Sequence, residues 1–352
     1  MKDKLRFFGV SLAVTVAALA IAMFESGWSA LLVMIVLILV EVTFSFENAV
    51  INAKVLKTLS PRWQAVFLTV GIFIAIFGMR VVFPIAIVSL TAGLDWHRVL
   101  DLAINHPTEY AHKLEAAHHT IAAFGGAFLL MLFLHFFFDK NKETHWIAPI
   151  EQPLKRLAYN WVPPVLSVVI IAGLSVLPQN HYAGDTLKAG LIGIATYMVV
   201  RGIEQVFGWL KAKSDARTSR SESKPAAGKL VQQTGWAAFA TFIYLEILDA
   251  SFSFDGVIGA FAITKSVILI AAGLGVGAFW VRSLTVYMVK KGTLDKYLYL
   301  EHGAHYTVGV LALTLLLSIF MKVPEIIAGA AGVVLVGSAF ISSRKHHEKH
   351  LA

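Results

Sequence analysis

The sequence has no cysteine among its 352 residues, and only 15% of them are charged. Without thiolates there can be no disulfide bond or thiolate metal site, so a bound metal must use oxygen or imidazole ligands, which disfavours soft metals. Hydrophobic residues make up 57% of the chain, and its mean hydropathy is +0.70. These values are typical of a helical membrane protein with several spans. They exclude a soluble enzyme.

Apolar runs of about 17 to 25 residues, the length that crosses a bilayer, predict about ten transmembrane helices and an all-α, polytopic bundle. No small-residue cleavage site separates the first run from the second, so we interpret the first as a span and not as a signal peptide. The predicted spans lie near residues 5–23, 29–53, 63–91, 114–138, 162–178, 186–209, 233–262, 264–290, 303–322 and 325–343.

Basic residues are distributed unevenly between the alternate loops of this arrangement. If both termini are cytoplasmic, most of the 30 Lys and Arg residues fall in cytoplasmic segments. This bias favours that orientation, and the net charge of +8 then reflects topology and not nucleic-acid binding. The outside loops and adjoining helix ends hold only Arg98, Lys113, Lys188, Lys265 and Lys322.

Two acidic motifs of the same form occur within apolar sequence, at Glu41 to Asn48 and at Asp249 to Gly256. Each reads acid, any residue, hydroxyl, Phe, Ser, Phe, acid. An arginine follows in the next span of each half, and a Glu-x-x-x-His pair follows after that. Five spans separate the partners, so the copies have opposite orientation and form an inverted repeat of two five-helix halves.

The repeat divides the chain into a first half at residues 1–180 and a second half at 186–343. Serines, a proline and mixed charges at residues 211–230 predict a basic cytoplasmic linker. Residues 344–352 form a basic tail that contains histidines. The outer segment from Leu94 to Lys113 is expected to hold a short helix outside the membrane.

Ionisable residues at membrane depth are costly, so the motifs predict a functional site. On an unbroken helix Glu41 and Glu47 would lie about 600° of rotation apart and could not hold one ion together. A break between them, or a ligand from elsewhere, is therefore needed. Asn48 and Gly256 are the positions at which we expect the helices to unwind.

Carboxylates, hydroxyls and freed carbonyls form an all-oxygen site, which suits Mn²⁺, Mg²⁺ or Ca²⁺. We expect Glu47 and Asp255 to meet across the pseudo-twofold axis. Arg80 and Arg282 are predicted to orient a carboxylate or to balance the empty site; alternatively, the acids are buried ion-pair partners of these arginines. The predicted metal ligands are Glu41, Ser45, Glu47, Asn48, Glu246, Asp249, Ser253 and Asp255.

Two Glu-x-x-x-His pairs, Glu115 with His119 and Glu301 with His305, place a carboxylate and an imidazole on one helix face. We expect them to form a proton route or a secondary metal site. An alternative is that all four hold the catalytic metal of a membrane-embedded metalloenzyme. The chain contains no HExxH motif, and an inverted repeat is not needed for catalysis, so we expect no enzymatic activity.

These motifs resemble the signatures of the TerC family of membrane proteins. Glu41, Glu47 and Asn48 are similar to its first signature. The chain looks closest to a TerC-related branch of unknown function, and it departs from the family in Glu47, in Gly256 and in the added Glu-x-x-x-His pairs. The other matching elements are the second signature at Glu246, Asp249 and Asp255, the arginines at 80 and 282, and the stretch 124–130.

The resemblance implies membership of the LysE-type transporter superfamily, manganese export across a bacterial plasma membrane, and a historical link with tellurite resistance. The residues alone predict a divalent-cation transporter that exchanges its substrate for protons and leave Mn²⁺, Mg²⁺ and Ca²⁺ open; the preference for Mn²⁺ is what the resemblance implies. A non-transporting assembly or stress protein is a further alternative. The expected partners are metal ions, protons and lipid, with no nucleic acid.

Overall fold

The computed structural model describes residues 2–140, 142–218, 233–324 and 326–351. Side chains are described in these ranges except at residues 2–6, 44, 204–205, 207–218, 254–255, 258, 262, 326 and 347–351. Within the described part the regular structure is helical, with one isolated β-bridge between Leu59 and Gln233. The predicted linker lies largely outside the described residues, and so do the side chains at the end of the tail.

The described helices, in chain order, are α1 (Lys2–Phe44), α2 (Phe46–Leu56), α3 (Pro61–Phe73), a π-helical segment (Ile74–Val82), α4 (Phe83–Ala92), α5 (Trp96–Asn105), α6 (Pro107–Ala116), α7 (His118–Phe137), α8 (Ala148–Arg156), α9 (Val162–Ser175), α10 (Ala183–Thr218), α11 (Gly235–Ile263), α12 (Val267–Lys290), α13 (Thr293–Lys296), α14 (Leu300–Leu317) and α15 (Ile326–Leu351).

Helical segments cover each of the ten predicted spans, although some spans are divided between helices, and the long apolar helices fit an integral membrane protein. Gly27, at φ +76°, kinks α1 and divides it between two of these spans; glycine adopts this backbone conformation without steric cost. α9 is apolar but shorter, and α11 and α14 occupy two further spans. Six described stretches are long and apolar enough to cross a bilayer: Phe7–Thr43, Pro61–Ala92, His118–Phe137, Ala183–Ile203, Val267–Lys290 and Ile327–His346. The predicted all-α bundle is confirmed.

Loops that the charge bias assigns to one side of the membrane meet at one end of the bundle. Lys54 forms an ion pair with Glu301, and Lys57 donates to Asp295 at 2.6 Å. The N–H of Ser60 donates to the carbonyl of Gln233 at 3.1 Å. The segment after α2 therefore contacts both the region after the linker and the start of α14.

A buried carboxylate holds α8 at this same end. Lys142 pairs with Glu151 at 2.9 Å, the N–H of Ile147 donates to it at 3.1 Å, and Tyr306 of α14 donates at 3.2 Å. Burial alone would raise the pKa of Glu151, but the hydrogen bonds from Lys142 and Ile147 and the charge of His302 lower it. The ionised Glu151 thus ties the loop before α9 to α14.

The two sequence halves are interleaved. α1 packs along α12, the π-helical segment packs against α11 and α12, and α7 packs against α10 and α14. α7 and α14, which correspond in the repeat, run antiparallel, since His118 contacts Ser318 at one end and Phe136 stacks on His305 at the other. This opposite direction is what an inverted repeat requires. Two predicted domains therefore form one bundle.

The outer segment contains two helices, α5 and α6, in place of the single short helix that we expected. Asp95 caps α5 by accepting from the N–H of His97 at 2.9 Å. Pro107 begins α6, where its missing N–H costs nothing. Each helix buries part of its apolar surface, at Val99 and Leu102 of α5 and at Tyr110 of α6. The segment is therefore packed against the rest of the structure.

Candidate cation site

The helix that carries the first motif breaks at Ser45, between its two acids. Ser45 has φ −106° and ψ 17°, and its hydroxyl donates to Glu41 at 3.2 Å. The prediction that the chain unwinds at Asn48 and Gly256 was wrong: Asn48 lies inside α2, and α11 continues through Gly256. The backbone N–H of Ser45 still donates to the carbonyl of Glu41, at 3.0 Å, so the break is a local distortion of the helix. The break lets both acids of the first motif line one cavity.

Glu41 forms a buried ion pair with Arg80. Its Oε1 accepts from Arg80 Nη2 at 2.5 Å as well as from Ser45. Its Oε2 faces α11, where a Cβ placed on Gly256 would lie 3.7 Å away. One oxygen of Glu41 is therefore taken up by the arginine, whereas the other borders the cavity.

The second motif is held by Arg282, which is only 2% exposed. Arg282 binds both oxygens of Glu246, at 3.1 and 3.0 Å, and Asp249 at 3.1 Å. It also donates to the carbonyl of Phe67 at 2.9 Å and stacks on that ring. These contacts satisfy the end of the guanidinium and fix the side chain in one geometry.

Asn48 joins the two motifs across the interface between halves. Its Nδ2 donates to Asp249 Oδ1 at 2.6 Å, while its Oδ1 is buried with no hydrogen-bond partner among the described residues. Asp249 is also close enough to Glu41 for their charges to interact. The acids thus belong to one electrostatic cluster.

Glu47 differs from the other described acids in this cluster. It is 5% exposed, and its carboxylate forms no ion pair or hydrogen bond with another described residue; the one described donor is its own backbone N–H. Its Oε2 faces α15, where a Cβ on Gly332 would lie 3.5 Å away. Glu47 is therefore a buried carboxylate that no described side chain neutralises.

A cavity of about 40 Å³ brings together Glu41, Ser45 and Glu47 of the first motif with Ser253 and Gly256 of the second. It has room for a cation with one or two waters. The hydroxyl of Ser253 is buried without a partner among the described residues, as expected of a group placed for a ligand. The far wall is formed by Thr307 and Leu311 of α14 and by Ala328 and Gly329 of α15.

The charges of the cluster do not balance. Two buried arginines, Arg80 and Arg282, face the four described carboxylates Glu41, Glu47, Glu246 and Asp249. If all four are ionised, two negative charges remain without partners in a region that excludes water, which is costly. A divalent cation or two protons would neutralise the surplus.

The side chain of Asp255 lies outside the described residues, so its meeting with Glu47 stays a prediction. Its neighbours Ser253 and Gly256 border the cavity, which places that turn of α11 beside Glu47. Among the described side chains, no group of three or more Asp, Glu or His residues is arranged to hold a metal. A metal in the cavity would thus have the two described carboxylates Glu41 and Glu47 and the neighbouring hydroxyls within reach, and a contribution from Asp255 stays a prediction.

The two Glu-x-x-x-His pairs lie apart from the cavity and from each other. His119 stacks on Tyr182 and lies 3.5 Å from Asp185, whereas Glu115 is exposed in the last turn of α6. His305 is buried near the opposite end of α7 and α14, roughly 25 Å away along the helix axis. All four residues therefore cannot bind one metal, which rules out the shared catalytic site that we considered.

Two glycines that the motif search did not single out make room for the cluster. A Cβ on Gly277 would lie 2.5 Å from Cβ and Cγ of Glu41, and a Cβ on Gly71 would lie 2.6 Å from Glu246 and still closer to Arg282. A sequence pattern could have indicated them, because each glycine lies in the span that follows an acidic motif, and that span contains further glycines. Only the packing shows which acid each accommodates.

Alanine at Gly277 is expected to lower stability by about 1 to 3 kcal/mol, because the new methyl group overlaps Glu41 in a closely packed interface. Gly256→Ala is the matched control. Its Cβ would meet only Glu41 Oε2, at an ordinary contact distance, and alanine favours the helix by up to about 1 kcal/mol. Thermal unfolding of the two purified variants should therefore differ in sign, and equal unfolding temperatures would contradict this geometry.

The comparisons with known proteins identify a family but no characterised relative. A family model described as a protein of unknown function, DUF475, matches residues 46–350. No curated protein and no solved structure matches the chain. The matched region contains Glu47, the second motif and both arginines.

Proposed function

We propose a function for this chain, which belongs to the DUF475 family of proteins of unknown function: it is a membrane transporter that exports divalent cations, with manganese as its substrate, in exchange for protons. The observation that carries the proposal is Glu47. A buried carboxylate that no described side chain neutralises, in a cluster where two arginines face four described carboxylates, is costly unless a cation occupies the cavity beside it.

The proposed substrate follows from the ligand chemistry. The cavity offers carboxylate and hydroxyl oxygens, and the chain has no cysteine, so hard or borderline dications are favoured. Among these, manganese is supported by the resemblance of both motifs and both arginines to the TerC family. Export from the cytoplasm, across a bacterial plasma membrane and with both termini inside, rests on that resemblance and on the charge bias of the loops.

Exchange for protons is proposed because the empty site must be neutralised before the carrier returns. Two protons on the carboxylates would replace the charge of one departing dication. His305 lies on α14, the helix that supplies Thr307 to the cavity wall, and the N-terminal end of the same helix holds Glu301. His119 occupies the matched position in the other half, so these pairs are our candidates for proton entry and exit.

Flux in proteoliposomes tests the proposal. Manganese transport should require the protein and should respond to an imposed pH gradient between roughly pH 6 and 8, across the unperturbed imidazole pKa. His119→Ala combined with His305→Ala should shift the pH dependence more than it weakens manganese binding. Flux that ignores pH would refute proton exchange, and the absence of flux despite a folded protein would refute transport.

A further inference from the structure

The two arginines of the repeat are held very differently. Arg282 lies in the regular helix α12 and binds two carboxylates and the carbonyl of Phe67 with its terminal nitrogens. Arg80 binds one carboxylate oxygen, on Glu41, and the carbonyl of Ala75 in its own helix. Among the described side chains, a single carboxylate therefore attaches Arg80 to the rest of the site.

Arg80 also lies in a π-helical segment, Ile74–Val82, whereas its counterpart does not. A π-helical turn contains one residue more than an α-helical turn and is often found at functional sites. Conversion of such a turn to α-helix changes the register by one residue, which rotates the side chains beyond it by about 100°. In a segment converted in this way, Arg80 would no longer point at Glu41.

Space for such a change exists beside the segment. An apolar cavity of about 380 Å³ is lined by Ile74 and Met79 of the segment and by Phe83 at the start of α4. On its other side lie Phe124 and Gly125 of α7 and Ile247 of α11. The lining is mainly apolar, with Thr196, Glu246 and Ser251 also present, so the cavity has room for apolar side chains of the segment.

A bound dication makes the present position of Arg80 unfavourable. The guanidinium contacts one oxygen of Glu41, and the other oxygen of the same carboxylate borders the cavity in which the cation would sit. A dication and an arginine on one carboxylate repel each other strongly in a site that excludes water. Arg282 faces no such conflict, because its partners Asp249 and Glu246 do not line that cavity.

We propose that Arg80 is a mobile counter-charge: it neutralises Glu41 while the site is empty and withdraws with the π-helical segment when a divalent cation binds. Arg80 is thus a positioning residue that links occupancy to movement of the first half, while Arg282 remains fixed. This inference rests on the proposed transport of cations by the same site.

The test compares Arg80→Gln and Arg80→Lys with the wild type in the full-length protein. Calorimetry measures Mn²⁺ binding, and proteoliposomes measure flux against Mn²⁺ concentration. Removing the competing charge in Arg80→Gln should tighten Mn²⁺ binding about tenfold. It should also lower maximal flux about tenfold, because the empty site no longer has a counter-charge for its return. Arg80→Lys keeps the charge and should bind Mn²⁺ within about threefold of the wild type.

Three other results would overturn the inference. A role for Arg80 in packing alone predicts that Arg80→Gln binds Mn²⁺ as the wild type does or more weakly, and that result would overturn the inference while leaving transport intact. Should Arg80→Gln not fold, Arg80→Lys decides: loss of Mn²⁺ binding there shows that guanidinium geometry matters and not its charge, and overturns the inference. A wild-type protein that neither binds nor transports Mn²⁺ would remove the proposed function together with this inference.

Discussion

Glu47→Gln is expected to abolish divalent-cation binding and transport without unfolding the protein. The glutamine keeps the size and shape of the side chain but removes the one described carboxylate of the cluster that no arginine neutralises. A unit charge about 4 Å from another contributes about 4 kcal/mol at an effective dielectric constant of 20. For a cation this corresponds to at least roughly a thousandfold loss of affinity. Calorimetry on the purified variant, with Mn²⁺, measures it.

The unfolding temperature of the metal-free Glu47→Gln protein provides a second test of this assignment. Because the empty site holds surplus negative charge, the metal-free Glu47→Gln protein should unfold at the same temperature as the wild type or at a higher one. Glu246→Gln is the matched control, since it makes the same chemical change in an acid that Arg282 binds through both oxygens. That control should unfold at a lower temperature. Wild-type Mn²⁺ affinity in Glu47→Gln would contradict the assignment of the site.

Among single substitutions in the buried charge cluster, Arg282→Met is expected to lower the stability of the protein most. Removing the arginine leaves Glu246 and Asp249 buried without their shared partner, and breaking a buried pair in this way costs about 3 to 5 kcal/mol. The carbonyl of Phe67 also loses its donor. Thermal unfolding and the fraction that elutes as a monodisperse peak after extraction measure the effect.

Arg80→Met is the matched comparison, because Arg80 occupies the corresponding position in the repeat. It binds one carboxylate, and Glu41 retains the hydrogen bond from Ser45 after the substitution. We therefore expect a clearly smaller fall in unfolding temperature for Arg80→Met than for Arg282→Met. Equal losses would show that the two arginines have the same structural role, against the asymmetry of their contacts.

Much of the architecture could be predicted because it depends on local properties of the chain. The length and polarity of the apolar runs predicted the spans, since a bilayer requires about 20 apolar residues in each helix. The repeated motifs predicted the acids, the arginines and their order. Gly27 and Ser45 were harder, because a kink or a break in a transmembrane helix depends on a few dihedral angles that apolar periodicity does not report.

The sequence by itself determined that this is an all-α membrane protein with paired acidic motifs, because hydropathy and repeated motifs can be identified from the order of residues alone. The tertiary structure alone decided which charges cancel. It paired Glu41 with Arg80 and Arg282 with the second motif. It also placed Glu47 beside a small cavity with no described side chain to neutralise it, and it separated His119 from His305. Ion pairing depends on distances of about 3 Å between side chains on different helices, and spacing along one helix cannot determine them.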